Sequence, residues 1–68
     1  MHQQLLHQQL KRLLWLRDQA LRYELYAEQA LGYWANEAEC EHYNRLAAEA
    51  YLQAYRLFQH LAARARLN

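Results

Sequence analysis

Residues 13–61 read LLWLRDQALRYELYAEQALGYWANEAECEHYNRLAAEAYLQAYRLFQHL, and the spacing of their small and apolar side chains decides the fold. Steps of three and four from Leu13 land on Leu16, Ala20, Tyr23, Ala27 and Ala30. The same steps from Cys40 land on Tyr43, Ala47, Ala50, Ala54, Leu57 and Leu61. Each walk traces one stripe of an α-helix, because positions three and four apart share a face. If the chain doubles back between the stripes, residues whose numbers sum to seventy lie opposite each other: Ala30 with Cys40, Ala27 with Tyr43, Tyr23 with Ala47, Ala20 with Ala50, Leu16 with Ala54, Leu13 with Leu57. A small side chain stands at five of the six levels, opposite a large one at three of them, which fills space and lets two backbones approach closely. The expected fold is all-α: a two-helix antiparallel hairpin in a single domain, 1–68.

Working outward from the stripes, the first helix is expected over about 3–31, the turn over 32–36 and the second helix over about 37–65. The chain has no proline and is rich in Leu, Gln, Ala, Arg and Glu, all good helix formers. Gly32 stands where a left-handed residue would end the first helix, a conformation that glycine adopts without steric penalty. Asn36-Glu37-Ala38-Glu39 reads as a capping box opening the second. Glu37, Glu39 and Glu41 then sit at the positive end of that helix dipole, and Arg64 and Arg66 at its negative end. Glu41 with Arg45, and Arg45 with Glu49, have the spacing of four-residue ion pairs on a solvated face.

Two helices alone cannot enclose a core, because each has only one neighbour to bury against. A chain of 68 residues with one cysteine has no internal disulfide to compensate, so self-association is the expected remedy. Hydrophobic residues are 54% of the chain and charged residues 22%, a globular rather than a disordered balance. The longest aliphatic block, Leu13 to Leu16 with Trp15 inside it, is far short of the roughly 20 apolar residues that cross a bilayer. Met1 to Leu10 has glutamines and histidines where a secretion signal carries a basic start and an apolar middle. A cytoplasmic protein with no membrane partner is expected.

Placing residues about 100° apart around each axis, with the alanine stripes facing, leaves two flanks of different character. One gathers Leu10, Leu14, Leu21 and part of Leu25 with Ala48, Tyr51, Tyr55, Phe58 and Ala62. A continuous apolar surface of this kind is what a partner subunit covers, so Leu10, Leu14, Leu21, Leu25, Tyr51, Tyr55 and Phe58 are assigned to a homodimer interface that completes a four-helix bundle. The other flank shows Trp15, Tyr26, Tyr33, Leu46 and Leu57 among Gln8, Arg12, Gln19, Arg22 and Gln53. Aromatics interleaved with arginine and amides characterise recognition surfaces, and Arg12, Trp15, Gln19, Arg22, Tyr26 and Tyr33 are the candidate partner-binding residues. Edge packing competes with that reading, with Trp15 lying over Leu57 and Tyr26 over Leu46.

Charge is unevenly spread. Residues 1–17 and 50–68 hold Lys11, Arg12, Arg17, Arg56, Arg64 and Arg66 with no acid, whereas residues 23–44 hold Glu24, Glu28, Glu37, Glu39 and Glu41 with no base. A hairpin gathers the first set at its open end and the second at its turn, and two such dipoles attract when laid antiparallel.

Catalytic and metal chemistry find little support. No two of His2, His7, His42 and His60 stand three or four apart on one helical face, as a helical zinc site requires. Cys40 lies among Glu39, Glu41 and His42, where negative charge disfavours a thiolate. Glu37, Glu39, Glu41 and Glu49 have no enclosed pocket to shift their ionisation, and one glycine cannot build a phosphate loop. No catalytic residue, metal or cofactor is expected.

In architecture, a hairpin dimer of this length resembles the plasmid copy-number protein Rop, whose family binds RNA on one bundle face; the resemblance covers the layout and carries no motif residue across. A net charge of +1 lacks the basic excess of a phosphate-tracking surface, although Arg12, Arg56, Arg64 and Arg66 make a local patch, so nucleic-acid binding ranks second. In size, and in its compact hairpin of arginine, alanine, glutamine and tyrosine, the chain also looks like small bacteriophage proteins that bind host regulators, one type of which blocks the DNA-binding domain of a quorum-sensing activator and a pilus assembly ATPase. That resemblance implies a small homodimer that inhibits a host transcription regulator by occupying its surface. A third reading is a structural or chaperone-like subunit that uses the leucine flank to join a larger helical assembly and forms no homodimer.

Overall fold

A computed structural model of the chain describes residues 2–33 and 35–67. Helix α1 covers His2–Gly32 and helix α2 covers Glu37–Leu67, each 31 residues long. Both extend a residue or two beyond the ranges expected from composition. They pack against each other as an antiparallel hairpin, and the body measures 50 × 17 × 11 Å. Its length is that of one helix at about 1.5 Å per residue. Its smallest dimension is one helix layer.

The seam is built from the residues that the three-and-four spacing picks out. Leu16, Ala20, Ala27 and Ala30 of α1 and Ala47, Ala50 and Ala54 of α2 are buried, with Ala20 and Ala30 fully inaccessible. Leu13, Tyr23, Cys40, Tyr43, Leu57 and Leu61 on the same stripes are half-buried. The stripes repeat every seven residues, so the contact line stays in register along both helices. Alanine at most levels permits an approach toward the short end of the usual helix spacing of roughly 8–10 Å. The consequence is a core of methyl groups. Among the described residues no large side chain is fully buried.

The turn differs from expectation. Gly32 is the last residue of α1 and has no positive φ; among the described residues the left-handed position is Ala35, at φ 48°. The Tyr33 N–H donates to the Gln29 carbonyl (2.8 Å), carrying the helical pattern through Gly32, and the Asn36 N–H closes back on the Ala30 carbonyl (2.9 Å). Because α1 continues through its glycine, the chain reverses nearer to the second cap, and an alanine has to supply the reversal. Residue 34, inside the expected turn, lies outside the described residues, as do Met1 and residue 68.

Asn36 caps α2 as its side chain predicts: its Oδ1 accepts the Glu39 N–H (3.1 Å), and its carbonyl accepts the first helical bond, from the Cys40 N–H (3.0 Å). The reciprocal half of the capping box does not form, since the Asn36 N–H is given to Ala30. Glu37 and Glu39 occupy the first turn of α2 and Arg64 and Arg66 its last, each favoured by the helix dipole. The expected Glu41–Arg45 and Arg45–Glu49 pairs are not made. Among the described residues the ion pair is Asp18–Arg22, at 3.9 Å with both side chains largely in water. Exposed pairs gain little over hydration, so sequence spacing alone does not decide which of them close.

Two substitutions at the turn separate the observed geometry from the expected one. Gly32→Ala should stabilise by about 0.5–1 kcal/mol, because a Cβ there meets nothing within 4 Å and the backbone is helical. Ala35→Gly should stabilise by roughly 1 kcal/mol by relieving the left-handed alanine. Chemical denaturation reads both, and a loss of stability in Gly32→Ala would mean that Gly32 is the left-handed cap after all. In the seam, Ala50→Leu should destabilise by about 1–3 kcal/mol through overpacking; an unchanged melting temperature would count against the pairing of Ala20 with Ala50.

Candidate functional site

Pressing the helices together along alanine leaves the large side chains on the two flanks. On the first flank Leu10, Leu14, Leu21 and Leu25 of α1 and Tyr51, Tyr55 and Phe58 of α2 are between 37% and 59% exposed. Ala48 lies among them in the open and Ala62 half-buried. Leu31 extends the strip toward the turn and is exposed as well. Two shallow hollows mark the surface: one of about 310 Å³ lined by Leu14, Trp15, Arg17, Asp18 and Leu21, and one of about 300 Å³ lined by Tyr55, Phe58, Gln59, Ala62, Ala63 and Arg66. Gln59 Nε2 donates to the Tyr55 hydroxyl (3.0 Å), which fixes that ring on its own helix.

The middle of this flank is polar. The Tyr51 hydroxyl is held above its ordinary range by desolvation, then by the nearby Glu24 carboxylate, with Arg17 opposing. Arg17, Tyr51 and Glu24 therefore form one island between apolar ends. Neither Arg17 nor Glu24 has an oppositely charged side chain within 4.0 Å among the described residues.

On the opposite flank Trp15 and Tyr26 are about half-exposed and Tyr33 is 84% exposed. A hollow of about 160 Å³ runs across the seam between Trp15, Gln19 and Tyr23 of α1 and Leu46, Glu49 and Gln53 of α2, with Leu16 and Ala50 as its floor. Of the six candidate partner-binding residues, the structure brings Trp15 and Gln19 together here. Arg12, Arg22, Tyr26 and Tyr33 do not line the hollow; Arg22 reaches toward Asp18 instead.

Tyr26 belongs to an aromatic cluster nearer the turn. Its ring packs on Tyr43, with centroids 5.4 Å apart, and Tyr43 also stacks on Tyr23 at 6.3 Å and meets His42 at 5.5 Å. Cross-seam pairing had set Tyr23 against Ala47 and Tyr43 against Ala27. Both half-buried rings reach past the alanine opposite and stack on each other. Glu49 is a second residue that the spacing argument misplaced, having been matched with Arg45. Its position three after Leu46 and four before Gln53 puts it on the same face as the hollow.

Among the described residues no group of three or more His, Cys, Asp or Glu side chains is placed to hold a metal ion, and Cys40 Sγ accepts a hydrogen bond from Asn44 Nδ2 (3.6 Å). No described helix is long and apolar enough to cross a membrane. No protein-family model matches the chain, and no curated protein or solved structure matches it. The surfaces themselves are the basis for assigning a role.

The tyrosine island makes a pH prediction. Since the folded Tyr51 hydroxyl ionises above its unfolded value of 10.0, its contribution to stability is complete below that pH and is lost as pH rises through the folded value. Alkaline denaturation of the wild type should therefore steepen above pH 10 relative to Tyr51→Phe. Equal pH dependence in the two proteins would show that Tyr51 does not feel Glu24.

Proposed function

We propose that the chain is a small homodimeric binding protein that acts stoichiometrically, with the leucine flank of two copies closed into a four-helix bundle and the Trp15 flank presented to another protein that it regulates or blocks. The observation that carries this reading is the burial pattern. Among the described residues six of the seven buried ones are alanine, while leucines and aromatics line the outside. Such a hairpin leaves most of its apolar surface in water unless other molecules cover it. The leucine flank carries exposed leucines and aromatics of both helices from Leu10 to Leu25 and from Tyr51 to Phe58, and suits a symmetric partner. The Trp15 hollow is short, has amides and Glu49 at its rim, and suits an anchoring side chain or ridge of a different protein.

In this reading Trp15 is the apolar anchor, Gln19 and Gln53 supply adaptable hydrogen bonds, and Arg12 and Arg22 stand beyond the hollow to meet acidic groups of the target. The target proposed is a cellular regulator, for instance a host transcription regulator bound by a phage-encoded inhibitor, and the location cytoplasmic. No cofactor and no catalytic residue is required. The nucleic-acid alternative rests on the Arg12, Arg56, Arg64 and Arg66 end and would show itself by steep loss of binding across a salt series.

Sedimentation of the purified protein should give the dimer mass at micromolar concentration; a stable monomer would remove the homodimer. Trp15→Ala and Arg12→Glu should each abolish capture of the target protein while leaving that dimer intact. Loss of the dimer or of helical content in these variants would instead make them edge packing.

A further inference from the structure

The polar island on the leucine flank assigns an orientation to the dimer. Leu10, Arg17, Glu24 and Leu31 of α1 are spaced by seven residues and so share one line along the edge of the seam. The two ends of that line are apolar and its centre carries one positive and one negative charge. Read in opposite directions, the line is complementary to itself: where Leu10 meets Leu31, Arg17 meets Glu24. Resting on the homodimer proposed above, we infer that a second copy of this chain lies head to tail on the flank, turns at opposite ends, with Arg17 of each copy against the partner's Glu24.

Three observations favour this arrangement over its competitor. First, both charges are exposed and lack an opposite charge of their own chain within 4.0 Å among the described residues. Covering them with an apolar surface would leave them unpaired, whereas a head-to-tail copy supplies the missing partner twice. Second, the pairing sets the symmetry axis between residues 20 and 21 of α1, which brings Leu21 beside the partner's Leu21. Across the seam that level corresponds to the middle of α2, so Tyr51 falls against the partner's Ala48, again a large side chain on a small one. Third, the basic open end of each hairpin then lies beside the acidic turn of the other.

In the competing arrangement both turns share one end and α1 packs on the partner's α2. Arg17 would face the level of the partner's Gln53, and Glu24 the level of the partner's Leu46. No opposite charge waits at either place, and Glu37, Glu39 and Glu41 of the two copies would crowd together.

Charge reversal on α1 tests the orientation with sedimentation as the readout and far-ultraviolet circular dichroism as the check on folding. Arg17→Glu alone and Glu24→Arg alone should each weaken self-association at least about tenfold, since each sets like charges against each other twice. Mixing these two variants should restore a dimer to within a few-fold of wild-type affinity, because both contacts in the mixed pair then join opposite charges. The double variant Arg17→Glu/Glu24→Arg should also dimerise with itself like the wild type, and it serves as the test if either single variant fails to fold. A wild-type dimer combined with no recovery in the mixture or in the double variant would overturn the head-to-tail pairing while leaving the homodimer standing. A wild-type monomer would remove the homodimer itself.

Discussion

The contact of backbone against backbone through alanine governs everything else in this molecule. A seam of methyl groups contributes little apolar burial for its length, because the hydrophobic gain scales with the area removed from water and alanine has little of it. What the seam supplies instead is geometry. It brings two helices close enough that the next residues around each cylinder cannot turn inward, so leucine, tyrosine, phenylalanine and tryptophan are placed at the two edges. The partition into a seam that shapes and flanks that bind follows from the size of one side chain at positions 20, 27, 30, 47, 50 and 54.

Much of this was legible in the spacing of residues. Two stripes with a seven-residue repeat and complementary sizes admit few arrangements other than a hairpin, and Asn36 three residues before Glu39 marks a helix start by a local hydrogen bond that needs no tertiary context. Other features were hidden for reasons that can be named. The left-handed residue is Ala35 because the reversal point is set by the closure of α1 and the cap of α2 together, and neither constraint appears in the preference of a single residue. Glycine marks where a left-handed turn is easy, not where it is needed. The Tyr23–Tyr43 stack was hidden because a cross-seam table assigns each residue one opposite neighbour, whereas large rings reach to the adjacent level.

The candidate surfaces were legible as faces but not as sites. Helical spacing correctly put Trp15, Gln19 and Gln53 on one side, yet only coordinates show that they close a hollow with Glu49 and that Tyr26 belongs to a separate cluster around Tyr43. Long side chains explain the difference. Arginine and glutamate have several rotamers at nearly equal energy when solvated, so Arg22 settling toward Asp18, and Arg45 toward neither of its candidate acids, cannot be read from sequence separation. Arg17 and Glu24 illustrate the converse. Their regular spacing between Leu10 and Leu31 was visible from the start, but it acquired meaning only beside the exposed apolar strip they interrupt.

The alanine wall also isolates the two edges of α2 from each other. Alanine has no side-chain torsion that repacks, so at positions 47, 50 and 54 a shift of an aromatic on one edge of α2 has no chain of rotamers through the seam to the other edge. Trp15, by contrast, lines hollows with Leu14 and Leu21 and with Gln19 and Gln53, and so joins the faces around α1. Communication through the seam itself would require one entire helix to slide or rotate against its neighbour. On α2 the ribbon thus behaves as two separately mutable edges of a single stiff sheet, while a change at Trp15 is felt on both.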